Sequence, residues 1–231
     1  MSQSCCQLSS LKKKFIVAVT GLLLLGFVLG HLAGNLLIFA GQNPLNDYAE
    51  HLRSLGPLLW VIRLGLFTVF ITHIVMTIKL VKENREARPV AYAVKKNSRT
   101  TPAARTMALS GLLILAFVIY HLLHFTFRTT NPAISHLTDA LGRRDVFSMV
   151  VLSFRRPPIA LTYIAAMLLL GMHLAHGISS VFQTLGIANE KCWPKIVCLS
   201  RLLAMVIVLG FISIPISIWC GLIKPVAGVL G

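Results

Sequence analysis

The chain has 231 residues, 56% of them hydrophobic and only 13% charged, against about 45–50% and about 25% in ordinary soluble domains. That composition excludes a soluble enzyme, a disulfide-stapled secreted module and a disordered chain. The formal net charge of +15 does not point to nucleic acid, because the Lys and Arg residues sit between apolar runs, where they set topology and meet anionic headgroups.

A membrane-spanning helix needs about 20 apolar residues, and five segments qualify. The first, 15–40, follows Lys12, Lys13 and Lys14 and is too long for a cleavable signal sequence, so it is expected to remain as a span. It carries His31, with Gly26, Gly30 and Gly34 around it, a series suited either to line a flat ligand or to bring two helices close. A polar connector with Asp47, Tyr48, Glu50, His51 and Arg53 leads to the second span, 57–81, which holds His73. The basic segment 82–105 precedes the third, 106–128, with His121 and His124. The 128–157 connector is read as a loop; the fourth span, 157–185, carries His173 and His176, and the fifth, 200–223, carries no His. Alternation of period two is absent, so the expectation is an all-α integral membrane protein, one domain over 1–231, whose first four helices form a ligand-binding bundle.

With the N-terminus inside, fourteen of the 22 Lys and Arg fall on the inner side, which favours N-in, C-out. Cys5, Cys6, Cys192, Cys198 and Cys220 lack the spacing of a zinc or iron–sulfur site and read as free thiols.

Six of the eight His lie within the first four spans. Ionisable groups inside a bilayer are costly and mark function by default. A lone one is commonly a packing residue, but one or more on each of four helices calls for a shared purpose. At 1.5 Å per residue, His31 and His121 lie roughly 24 Å from the inner ends of their helices, and His73 and His173 roughly 24 Å from the outer ends. Two layers of two His result. Haem iron takes one imidazole on each face, from different helices, so the layers suit two b-type haems. His124 and His176 each follow another His by three residues, so either member of each pair is a ligand candidate; the other would support a propionate, orient its neighbour or relay protons.

His31 in GHLAGN, His73 in THIVMTIKL, His121 in YHLLHFTF and His173 in MHLAHGISSVFQTLG resemble the di-haem cytochrome b anchor of succinate dehydrogenase and fumarate reductase, in its single-chain, five-helix form. The resemblance covers nearly the whole chain. It implies His31 and His121 on an outer haem, His73 and His173 on an inner haem, and a place in a bacterial cytoplasmic membrane. It also implies an iron–sulfur subunit docked on the inner face, a flavoprotein subunit beyond it, a quinone (menaquinone in most such anchors) as electron partner, and higher oligomers as one possible assembly. The 82–105 segment is a candidate docking surface. Tyr48, Glu50, His51 and Arg53 are candidates for the quinone site. Arg63, Arg128, Arg155 and Arg156 are placed to neutralise outer propionates, with Lys79, Ser179, Ser180 and Gln183 as counterparts inside. The competing expectations are a cytochrome b subunit of a hydrogenase or formate dehydrogenase, and a haem-free, His-lined proton or ion pathway.

Overall fold

The computed structural model describes residues 8–87 and 106–226. Cys5, Cys6 and most of the basic 82–105 segment lie outside the described residues, among which there are helices and no strands. Helix α1 spans Ser10–Leu36 and tightens into a 3-10 turn over Leu37–Ala40. The others are α2 (Gln42–Ser54), α3 (Pro57–Glu86), α4 (Met107–His121, continuing as a π turn over Leu122–Thr126), α5 (Pro132–Ser135), α6 (Val146–Phe154), α7 (Pro157–Thr184) and α8 (Trp193–Trp219).

The sequence places the breaks. Ser9 caps α1 through its hydroxyl, and Asp145 caps α6 by accepting from Ser148 N–H. Gly41 (φ 104°) and Gly56 (φ 53°) supply left-handed turns on either side of α2. Pro57 and Pro157 open α3 and α7, where a missing N–H is harmless.

Five helices are long and apolar enough to cross a membrane: Ser10–Ala40, Pro57–Glu86, Met107–Thr126, Pro157–Thr184 and Trp193–Trp219. Against the sequence expectation, the first starts five residues earlier and the second runs five further, because the charged residues at these ends continue the helix beyond the apolar stretch. The fifth shifts toward the N-terminus and begins at Trp193, with Pro194 in its first turn. Large apolar side chains such as Leu22, Phe67, Leu112 and Leu209 point outward, as lipid contact allows.

The 128–157 connector is not a loop. Its helix α6, VFSMVVLSF, is buried along nearly its whole length. Nine residues at 1.5 Å each are too short to span a bilayer; α6 instead packs beneath α2 and against α7 and α8. Ile38, Leu45, Phe147, Val151, Phe154, Tyr163, Ile214 and Ile218 form the main core there. This end of the molecule is termed the capped end. At the other, basic end, buried Lys13 of α1 pairs with Glu83 of α3.

Within the bilayer, helix contact rests on close approach rather than on water exclusion. Methyl groups at Gly171 and Gly210 would fall 2.6 Å from Val208 and 2.9 Å from Leu32, so these glycines seat α7 on α8 and α8 on α1. Helix α8 is thus built into the bundle, whereas α3 has no buried residue and packs chiefly on α1.

Candidate functional site

Four of the six intramembrane His form two groups at different depths. Toward the capped end, the rings of His31 (α1) and His121 (α4) lie 5.8 Å apart at an interplanar angle of 84°. His31 also stacks on Phe27 at 5.4 Å. Toward the basic end, His73 (α3) lies against Thr20 and Gly21 of α1, and His173 (α7) lies against Ser110 and Gly111 of α4. His31 and His121 are one of the two pairs that helix depth predicts.

The ring nitrogens are ordered in a common way. His73 Nδ1 lies 3.0 Å from Thr20 Oγ1, His173 Nδ1 lies 3.2 Å from Ser110 Oγ, and His121 Nδ1 lies 3.4 Å from Tyr163 Oη. Among the described residues no hydrogen bond engages Nε2 of these three. His31 Nε2 has only a long 3.4 Å contact with Asn35 Nδ2, which bonds more closely to the His31 carbonyl at 2.7 Å. A hydroxyl on Nδ1 that leaves Nε2 free is how a protein aims an imidazole at a metal. Gly21 lets His73 approach closely, since a methyl group there would meet its ring at 3.3 Å, while at Gly111 a methyl would meet the His173 ring at an ordinary 3.5 Å.

The residues fit a bis-imidazole haem. Two imidazoles on opposite sides of one metal ion, with bonds of about 2 Å, hold their ring centres roughly 6 Å apart, close to the His31–His121 separation. Methyl groups at Gly26 and Gly30 would meet nothing within 4 Å, so the α1 face beside His31 is open. Gly34 differs, since a methyl there would fall 2.5 Å from the Tyr48 ring. Of the two purposes weighed from sequence, Gly34 serves close helix contact, while Gly26 and Gly30 are exposed.

His124 meets the same Tyr163 hydroxyl as His121, as the i,i+3 spacing expects, but its ring nitrogens are committed differently. The π turn, with Phe127 N–H reaching the Leu122 carbonyl at 2.7 Å, adds a residue to the turn and rotates the side chains beyond His121 about the helix axis. His124 is fully buried. Its Nδ1 lies 2.9 Å from Tyr163 Oη, and its Nε2 lies 3.1 Å from both Ser153 Oγ and Asn131 Nδ2. It stacks on Phe125 at 4.0 Å. With both nitrogens committed, His124 is a structural partner of the layer in this arrangement. His176 is half-buried beside His173, and its carbonyl accepts from Ser179 at 2.9 Å.

The capped end holds a cavity of about 210 Å³ lined by Arg53, Arg63, Arg128, Arg144, Asp145 and Phe125. Arg128 carries a left-handed φ of 59°, its Nη1 donates to the Ser135 carbonyl at 3.0 Å, and its Nε is buried without a partner. Burial, then the charges of Arg128, Arg53 and Arg63, pull the Arg144 guanidinium below its ordinary value against the opposing effect of Glu50. Such a cluster favours an anion. Arg63 also lies over the Trp60 ring at 5.2 Å. Arg155 is exposed, and Arg156 donates to Asn131 Oδ1 at 2.8 Å.

The other sequence candidates scatter. Tyr48 packs on Gly34, Glu50 pairs with Arg53 at 2.9 Å, and His51 is exposed, all on α2. Asp47 pairs with Arg143. Lys79 and Gln183 are exposed, Ser180 is half-buried and Ser179 is bonded within its own helix. Cys192, Cys198 and Cys220 are free thiols. Sequence reasoning missed Thr20, Ser110, Tyr163, Ser153 and Asn131. Three of these are hydroxyl residues inside spans, a weaker signal than the His because a Ser or Thr hydroxyl can bond its own helix backbone, as Thr20 and Ser110 do.

Comparison of the chain with models of known protein families, with curated proteins and with solved structures finds no match.

Proposed function

We propose that this chain is the di-haem cytochrome b anchor of a succinate:quinone oxidoreductase, of the succinate dehydrogenase or fumarate reductase kind. The observation that carries the proposal is the arrangement of intramembrane His. His31 and His121 stand at the ring separation of a bis-imidazole metal site, His73 and His173 lie nearer the other end, and three of the four rings are aimed by hydroxyls. The sequence resemblance of the segments around His31, His73, His121 and His173 supplies the choice of complex.

In this reading the first four spans enclose both groups, with His31 and His121 holding the outer one and His73 and His173 the inner. Haem bound there would supply one-electron carriers across the bilayer. The chain's own residues hold the imidazoles by Nδ1, leave Nε2 free, and keep water out with Leu, Val, Ile and Phe. Arg63 and Arg128, with Arg53 and Arg144, offer positive charge to propionates at the outer end. The quinone would bind near α2, where Tyr48, Glu50, His51 and Arg53 lie. The N-terminus faces the cytoplasm of a bacterial inner membrane and the C-terminus faces outside. The basic inner end meets an iron–sulfur subunit, itself bound to the flavoprotein that carries out the dicarboxylate chemistry.

A reduced-minus-oxidised spectrum with pyridine haemochrome quantitation on the purified chain tests this. Two low-spin b haems per chain are expected. None, in protein made with ample haem and partners, overturns the proposal and returns the His to a proton or ion pathway. Reduction of the haems by hydrogen or formate rather than succinate, in native membranes, would reassign the complex.

A further inference from the structure

The hydrogen bonds around His124 form one continuous chain from the capped surface to His121, and its polarity can be worked out. At the surface, Arg156 Nη1 lies 2.8 Å from the Asn131 side chain. A guanidinium only donates, so the amide oxygen faces it and the amide NH2 faces His124. That NH2 lies 3.1 Å from His124 Nε2 and also only donates, so Nε2 accepts. Neutral His124 then carries its proton on Nδ1 and donates it to Tyr163 Oη, 2.9 Å away. Ser153 Oγ, 3.1 Å from the same Nε2, can only donate to it while the proton is on Nδ1. Tyr163 Oη ends the chain 3.4 Å from His121 Nδ1.

When His121 binds metal through Nε2, its Nδ1 must carry a proton and donate it to Tyr163 Oη. That oxygen already accepts from His124, which makes it a poorer acceptor, and the chain offers its own O–H no partner. A ligand imidazole that donates weakly from Nδ1 is itself a weaker electron donor to the metal. Resting on the haem proposal above, we infer that Arg156, Asn131, His124 and Tyr163 form a polarised hydrogen-bond chain that orients His121 and weakens its donor strength, so raising the potential of the outer haem. Every member keeps its charge; only the direction of the bonds matters. Tyr163 is a positioning residue, and Asn131 sets the polarity from about two turns' distance along the sequence.

Two neutral substitutions give opposite signs. Tyr163→Phe deletes the acceptor, so the potential of one haem rises. Asn131→Leu removes the donor that forces His124 into the Nδ1–H form. His124 then carries its proton on Nε2, bonded to Ser153, and takes the Tyr163 O–H on Nδ1. Tyr163 becomes a full acceptor for His121, and the same haem's potential falls.

The experiment is a redox titration of the intact complex in native membranes, following both haems optically and by low-temperature EPR. The expected result is two haems retained in each variant, one potential moved up by Tyr163→Phe and down by Asn131→Leu, and the other unmoved. Two haems with neither potential moved overturns the chain while leaving the haem assignment standing. Shifts of one sign in both variants, or equal shifts of both haems, mean general loosening and overturn it too. If Tyr163→Phe fails to accumulate, the surface-proximal Asn131→Leu decides alone: a fall supports the chain, and no change or a rise refutes it. No haem in the unmutated complex removes the haem proposal and the chain together.

Discussion

His121 and His124 stand three residues apart and invite confusion, so exchanging their losses is the sharpest test of the site. Substituting His124 by Ala deletes three hydrogen bonds, at 2.9, 3.1 and 3.1 Å, each contributing about 1 kcal/mol net. It also removes a 4.0 Å stack on Phe125, a contact of about 0.5–1.5 kcal/mol. The loss should come to about 4 kcal/mol, because the fully buried site cannot recruit water freely. His121→Ala sacrifices one long 3.4 Å bond and looser ring contacts with Phe117, Phe125 and Tyr163, and should destabilise by about 2 kcal/mol, less than His124→Ala. The haem content should run the other way: one haem of two lost in His121→Ala, both retained in His124→Ala. Unfolding by SDS titration in mixed micelles reads the first quantity, and pyridine haemochrome assay of the same preparations reads the second. Loss of a haem in His124→Ala with retention in His121→Ala would refute the reasoning, since it would show that the π turn unwinds when ligand binds.

Much of the site was legible because its costs are written in the sequence. A His inside a 20-residue apolar run is conspicuous, and the spacing of His31, His73, His121 and His173 from Pro57, Pro157 and the basic N-terminus fixes depth by helix rise alone. The roles of His121 and His124 were not legible, because i,i+3 spacing puts both within reach of one neighbour and only tertiary packing brings Ser153 and Asn131 onto His124 Nε2. Helix α6 was missed for a different reason. A window sized for the bilayer averages nine apolar residues with the Arg143–Arg144 and Arg155–Arg156 pairs on either side, although burial against α2, α7 and α8 suits a short helix well. Tyr163 was passed over as one aromatic among many. Its place is set by the register between α4 and α7, which is a property of packing and not of either helix by itself.

The remaining predictions probe the open groove and the cap. Gly30→Leu should fold normally yet lose one haem, because the space beside it is open; two haems retained would mean that this face of α1 meets lipid. Gly34→Ala should instead weaken the seating of α2, costing about 1–3 kcal/mol through overpacking against the Tyr48 ring, read as a lowered midpoint in the same SDS titration; an unchanged midpoint would refute it. Asn46 is fully buried, donates to Asp139 and Asp145 at 3.0 and 3.1 Å and accepts from Phe147 N–H. Its replacement by Ala should cost about 3 kcal/mol, since bonds to charged groups are the stronger kind, and a cost below about 1 kcal/mol would mean that α2 is not locked by this residue. The same lock gives the cap its pH dependence. Burial pushes the Asp139 carboxyl up, but hydrogen bonds from Arg143, Asn46 and the backbone N–H groups of Arg143 and Leu141 outweigh it and hold the group at about 2. A carboxylate depressed in the folded state contributes stability that is fully present above its unfolded value, near 3.8, and is lost as pH falls toward 2. Proteolysis across 136–146 should therefore stay slow down to about pH 4 and rise below it. In Asn46→Ala, which strips one of those bonds, the rise should begin at higher pH; an onset that does not move would place the acid-labile contact elsewhere, on the exposed Asp47–Arg143 pair.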